Sequence, residues 1–233
     1  MRKAAKANPR YGYRRVAVVS SLGFGRCYRL WRKNDFKLAA QRARKRQKPE
    51  NPSPRPQQAE HPNHVWTYDI LFDRLADGRQ FKTLSILDEF NRECLGILVS
   101  HSILAQDVIA LRAKILNKQP APIFLCSDNG SEFTAQSVKT WPEQNNVGPV
   151  FIPPGQPCKN GFIQSFHDKF RDECLQREWF QSLLEAQVVI EAWRLRYSTQ
   201  RPHSSLACQT PAAFAAEFII QPAQTLFPVG YKN

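Results

Sequence analysis

Val65-Trp66-Thr67-Tyr68-Asp69-Ile70-Leu71-Phe72 is a run of aromatic, β-branched and aliphatic residues broken by one charge. Its composition predicts a strand. Side chains alternate between the two faces of a strand, so Asp69 points away from the face of Tyr68 and Ile70. Two similar runs follow, Phe81-Lys82-Thr83-Leu84-Ser85-Ile86-Leu87-Asp88 and Cys94-Leu95-Gly96-Ile97-Leu98-Val99-Ser100. Asp77-Gly78 marks the first turn between them and Asn91-Arg92 the second. Three consecutive strands joined by tight turns form an antiparallel meander.

The pattern then changes. Residues 104–118 carry Val108, Leu111, Ile115 and Leu116 at helical spacing, and residues 123–127 read as a buried strand. Residues 134–146 read as a helix interrupted by Pro142, 149–152 as a short strand, and 160–178 and 182–198 as helices. The order βββ-α-β-α-β-α-α predicts an α/β domain with a mixed five-stranded sheet and helices on both faces. Within such a sheet the first and fourth strands are neighbours. Asp69 on the first would then meet Asp128, which closes the fourth in Ser127-Asp128-Asn129-Gly130-Ser131-Glu132-Phe133.

Thirty-five residues separate Asp128 from Gln164, which opens a helix after Pro157 and Asn160-Gly161. A third carboxylate at that place would complete an oxygen cage for two divalent cations. Gln164 keeps the shape of glutamate and lacks its charge. Asp168, four residues on, lies about 6 Å further along the same helix face and is the substitute ligand the sequence offers. Taken singly, an Asp in a strand is a polar residue on an exposed face and Asp-Asn-Gly is a turn. The combination is what points to metal-dependent chemistry.

Four pieces of the chain, in order, resemble the downstream-frame catalytic product of insertion-sequence transposases in the retroviral-integrase (DDE) superfamily. They are Pro62–Asp69, Ser127–Phe133, Pro154-Gly155-Gln156-Pro157 through Arg171-Asp172-Glu173-Cys174-Leu175, and Tyr197–Leu206 with Thr210-Pro211. The resemblance runs from about Tyr11 to Phe218 and implies a ribonuclease H-like fold. It also implies Mg²⁺ or Mn²⁺ held by Asp69 and Asp128, with Gln164 at the catalytic position where the family has Glu. Its activity would be strand cleavage and strand transfer at transposon ends during DNA transposition and integration. The partners it implies are end and target DNA, further copies of the chain, and an upstream-frame helix-turn-helix product. The chain departs from the family at Gln164, at Ser198 for Asn, at Ala207 for Gly, and at Pro142. The readings that follow are a transposase catalytic subunit impaired by Gln164, or else a catalytically inactive DNA-binding remnant or an inhibitor of active copies.

Charge divides the chain unevenly. Residues 1–48 hold sixteen Lys/Arg against Asp35 alone, whereas the remainder holds seventeen against nineteen acids, so the whole excess of +13 sits at the start. Such a block neutralises phosphates and releases counterions. Within it, Arg14 and Arg15 flank a short apolar run, and Arg26, Arg29, Arg32 and Lys33 surround Cys27, Leu30 and Trp31 at helical spacing. The spacing predicts a helix-turn-helix-like element over 1–48, and Arg42, Arg44, Lys45 and Arg46 extend its candidate DNA contacts. A Pro-rich linker spans 49–63, the integrase-like core 64–218 and a tail 219–233. Six scattered cysteines, none in a Cys-x-x-Cys pair, argue against a zinc ribbon or a disulfide framework. No run of about 20 apolar residues or signal-like segment occurs, so the reading is a cytoplasmic, nucleoid-associated protein without a membrane span.

Overall fold

A computed structural model describes residues 1–36, 58–127, 147–151 and 161–219. These form α1 (Arg2–Ala7), α2 (Tyr13–Val19), α3 (Phe24–Lys33), β1 (Val65–Arg74), β2 (Gln80–Asp88), β3 (Cys94–Ser100) and α4 (Ala105–Leu116). They continue with β4 (Phe124–Ser127), β5 (Gly148–Phe151), α5 (Gly161–Glu173), α6 (Leu183–Thr199) and α7 (Pro211–Ile219).

The run that opens the reading is the centre of the sheet. β1 pairs antiparallel with β2, Asp69 opposite Ser85, and parallel with β4, Val65 opposite Phe124. The full order is β3-β2-β1-β4-β5, a mixed five-stranded sheet as expected. Gly78 takes φ 86° in the first turn, which its missing Cβ makes inexpensive, and Arg92 takes φ 65° in the second. The second turn is held by Asp88, which is fully buried and accepts the amides of Phe90 at 2.8 Å and Asn63 at 2.7 Å. Burial pushes the Asp88 carboxyl up, and the amides that reach it oppose that.

Alternation along the strands builds two cores. Trp66, Tyr68, Leu84, Ile86 and Leu125 pack with Val108, Leu111 and Ile115 of α4 on one face. Leu71, Phe81, Leu87 and Val99 pack on the other with Ile163, Phe166 and Phe170 of α5 and Ile190, Trp193 and Tyr197 of α6. Each such apolar side chain taken fully from water contributes about 1.5–3 kcal/mol. Helices therefore cover both faces. α6 starts where the sequence places it, with the Ser182 hydroxyl accepting the Glu185 amide at 3.2 Å and Glu185 accepting the Gln181 amide at 2.6 Å.

Two elements differ from the sequence reading. The helix expected over 160–178 ends at Glu173, followed by a 3₁₀ turn at Leu175–Arg177. Tightening there keeps both Cys174 and Leu175 buried, which the unbroken helical period does not anticipate. The six-residue helix α1 was not expected. It contributes Ala5 to a small core with Tyr11, Val16, Ala17 and Cys27. That cluster docks on the main body through Arg10, whose guanidinium lies 2.5 Å from the Asp172 carboxylate. The basic run Arg42–Arg46, the prolines through Pro56, and Asp128, Glu132, Pro142 and Cys158 lie outside the described residues. Among the described residues no helix is long and apolar enough to cross a membrane.

Candidate active site

Asp69 stands in the middle of β1 on the face that meets α5, as alternation requires. One carboxylate oxygen accepts the Ile70 amide at 2.7 Å, and the other lies 3.6 Å from Nδ1 of His167 on α5. The side chain keeps 22% of its surface open to solvent. Burial, and then Arg171, push the His167 imidazole down to about 4. At neutral pH it is therefore uncharged, and the contact with Asp69 is that of an imidazole and a carboxylate rather than an ion pair. Ser85, the cross-strand partner of Asp69, is fully buried. Neither its Oγ nor His167 Nε2 has a hydrogen-bond partner among the described residues.

Gln164 precedes His167 by three residues, almost one turn, and is exposed on α5. Asp168, the substitute ligand, is exposed one turn after Gln164 on the same helix. Asp128 lies outside the described residues; its predecessor Ser127 ends β4, the parallel neighbour of β1. No three His, Cys, Asp or Glu side chains come together among the described residues as a metal cluster would.

The candidate DNA contacts divide. Arg14, Arg26, Arg29, Arg32 and Lys33 are exposed on α2 and α3, around a helix whose Cys27 is fully buried. Arg15 instead turns inward, with a guanidinium nitrogen 3.9 Å from Glu173 at the end of α5. Arg42, Arg44, Lys45 and Arg46 are outside the described residues.

Sequence reasoning passed over His167 and the pair Glu173–Arg201. A signal for the first existed. Ile163, Phe166, His167, Phe170 and Cys174 fall at i, i+3, i+4, i+7 and i+11, so His167 lies on the buried stripe of α5. For the second there was none, because 28 residues separate the partners. Arg201 is 1% exposed and grips Glu173 with two parallel bonds of 2.7 and 2.6 Å. Its remaining Nη1 lies 3.2 Å from His203 Nε2.

An integrase core domain model matches residues 59–157, and a second integrase core domain model matches residues 145–211. The protein of insertion element IS476 from Xanthomonas euvesicatoria is 37% identical over 232 residues, 96% of this chain and 66% of that protein. The protein of insertion element IS407 from Burkholderia multivorans is 38% identical over 213 residues, 89% of this chain and 76% of that protein. The chain belongs to the integrase-core transposases of insertion elements. A more distant member, the transposase for insertion sequence element IS904 of Lactococcus lactis, is 25% identical over 157 residues, covering 66% of this chain and 61% of that protein. The chain thus spans about two thirds of the length of the IS476 protein.

Solved structures extend the likeness in fold alone. The catalytic core of BIV integrase superimposes with a TM-score of 0.52 at 15% identity, covering 66% of this chain and 95% of that one. The HTLV-2 integrase catalytic core, determined in complex with magnesium in a trimeric form, gives 0.50 at 14% identity, covering 68% and 99%. The family is one of DNA transposition and integration. Its ribonuclease H-like α/β fold is the architecture seen here, with the long central strand bearing Asp69.

Proposed function

We propose that this chain is the catalytic unit of an insertion-element transposase, acting on the DNA ends of its element and on target DNA. Strand cleavage and strand transfer centre on Asp69, Asp128 and the position of Gln164. The observation that carries the reading is the approach of α5 to β1: His167 touches Asp69, and Gln164 stands almost one turn away on the same helix. Asp128 follows Ser127 directly, and Ser127 ends the strand beside β1.

The donors suit a hard divalent cation. Asp69 offers a partly open carboxylate, Gln164 an exposed amide oxygen, and the unpartnered Ser85 hydroxyl lies across the strand from Asp69. Mg²⁺ or Mn²⁺ bound there would supply activation of the attacking water or 3′-hydroxyl and stabilisation of the leaving oxygen. The chain's own part is to hold Asp69 on a rigid central strand and to set α5 against it through Ile163, Phe166 and Phe170. DNA and further copies of the chain are the partners of this reading, with the exposed Arg26, Arg29, Arg32 and Lys33 on the DNA and an upstream-frame helix-turn-helix product as a separate DNA-binding subunit.

Gln164 limits the chemistry. Loss of one carboxylate from the cage that weakens the transition state by about 3–5 kcal/mol slows the reaction roughly 10²- to 10⁴-fold. The test is metal-dependent cleavage and strand transfer on DNA carrying the element's ends, comparing the natural chain with Gln164→Glu. Glu and Gln are nearly isosteric and the site is exposed, so the variant folds as the natural chain does. A gain of orders of magnitude is expected. No gain in a folded, DNA-binding variant refutes the placement of Gln164. Substantial and equal activity in both assigns the third ligand to Asp168 or another group.

A further inference from the structure

Two of the motifs that carry the resemblance, Arg171–Leu175 and Tyr197–Leu206, have no part in the metal site, yet they meet where Arg201 grips Glu173. A cavity of about 530 Å³ opens between α5, the segment after α6 and the start of α2. Its polar lining includes Arg15, Arg92, Lys169, Arg201, His203 and Ser205. These groups share one field: His203 is pushed down to about 3, by burial first and then by Arg201, Arg15, Lys169 and Arg92 acting together. Two acids are set against these cations, Asp168 and Glu173, and both oxygens of Glu173 are taken by Arg201.

Concentrated positive charge in a concave, partly dry site attracts an anion more strongly than the same charges spread over a surface. The shape and the hydroxyls decide which kind. Ser165, Ser204 and Ser205 line the cavity beside the cations, and hydroxyls next to Arg and Lys are the side-chain set that binds backbone phosphate. Ser165 also adjoins Gln164 in sequence on α5, so the cavity lies along the helix that carries the candidate catalytic position.

We propose that this cleft seats a backbone phosphate of the bound DNA away from the reacting phosphodiester, on the side of α5 opposite His167, with Lys169 and Arg15 as the principal contacts. The inference rests on the reading of the chain as a transposase catalytic unit. It gives inward-turned Arg15 a purpose: α2 supplies one wall of the cleft, so docking of the small N-terminal core completes the site. Arg201 is a positioning residue here, held by Glu173 and aimed at His203.

The experiment is binding of a labelled duplex to the full chain across a range of salt concentrations. The variants are Lys169→Gln, Ser205→Glu and, as a control of equal charge change on α4, Lys114→Gln; Ser205 and Lys114 are both exposed. Loss of one phosphate contact lowers the slope of log affinity against log salt by about 0.9. Lys169→Gln is expected to show that change and Ser205→Glu, which sets a carboxylate against the phosphate, to weaken binding roughly tenfold. Lys114→Gln is expected to leave both unchanged. If the natural chain binds duplex and all three variants match it, or all three fall equally, the cleft is refuted while the transposase reading stands. If the natural chain binds no duplex, both fall. If Lys169→Gln abolishes binding of inorganic phosphate but leaves the duplex slope intact, the cleft is a free-anion site and the DNA proposal is overturned.

Discussion

Removing the partner of Arg201 should cost more stability than any exposed charge in the chain. Glu173 is 7% and Arg201 1% exposed, and the two are joined by parallel bonds of 2.6 and 2.7 Å. Breaking such a buried pair by neutralising one member costs about 3–5 kcal/mol, because the other charge is left in a low-dielectric site. Arg15 offers no relief: its own contact with Glu173 is longer, 3.9 Å, and it adds a second cation beside the orphaned guanidinium. A single domain has about 5–15 kcal/mol in total, so Glu173→Gln should remove a large share of it. With a urea slope of about 2 kcal/mol per molar, a loss of 4 kcal/mol moves the unfolding midpoint down by about 2 M. Trp193 packs on Phe170 at 4.8 Å between ring centroids, so it is one of the five tryptophans whose summed fluorescence follows the unfolding. The matched experiment is a cycle of Glu173→Gln, Arg201→Gln and the double variant. Coupling of about 2 kcal/mol or more is expected for partners in direct contact. Coupling below about 1 kcal/mol, the range of exposed pairs, would refute the claim that this pair bolts α5 to the segment after α6.

Acid should destabilise the protein through His203. Its folded pKa of about 3 lies below the ordinary value of 6.5. The unfolded chain therefore binds a proton that the folded chain refuses, and stability, whole above pH 6.5, falls as the pH drops from there toward 3. Unfolding measured at pH 7.5 and pH 4.5 should show a smaller acid loss in His203→Gln than in the natural chain; an identical loss would deny His203 the role. Ala207→Gly should stabilise by about 0.5–1 kcal/mol, because Ala207 holds φ 50° and ψ 32°, where a Cβ is crowded. Thermal unfolding of the variant at a midpoint equal to or below that of the natural chain would mean that neighbours compensate the strain.

Ala207 also shows what a sequence conveys and where it stops. Glycine at this position in the resembled family becomes intelligible only once the left-handed backbone after the 3₁₀ turn at Ser204–Leu206 is seen. The strands were legible because period-two alternation is local: Tyr68 faces α4 and Asp69 faces α5 for the same reason that Leu71 packs with Phe81. Helices α4 and α6 were legible from their apolar stripes. The end of α5 was not, since Phe170 and Cys174 continue the period across the break at Glu173. At that break Arg201, just past the end of α6, holds the carboxylate of Glu173, the last residue of α5. Long-range polar pairing leaves no period in a sequence, and the same holds for the cleft. Arg15, Lys169 and His203 come from three segments, each of which alone reads as a basic helix, a surface charge and a turn. Local pattern thus reaches the framework and the orientation of Asp69, whereas the cationic wall along α5 exists only because α2 docks there. If that docking creates the anion site, loosening it at a distance should weaken DNA binding without touching a DNA contact. Arg10→Ala, which removes the 2.5 Å bond to Asp172 while leaving Arg15 and Lys169 in place, should then lower the salt slope of duplex binding part of the way toward that of Lys169→Gln. A slope unchanged in Arg10→Ala, beside a reduced one in Lys169→Gln, would separate the cleft from the docking and place its phosphate contact on α5 alone.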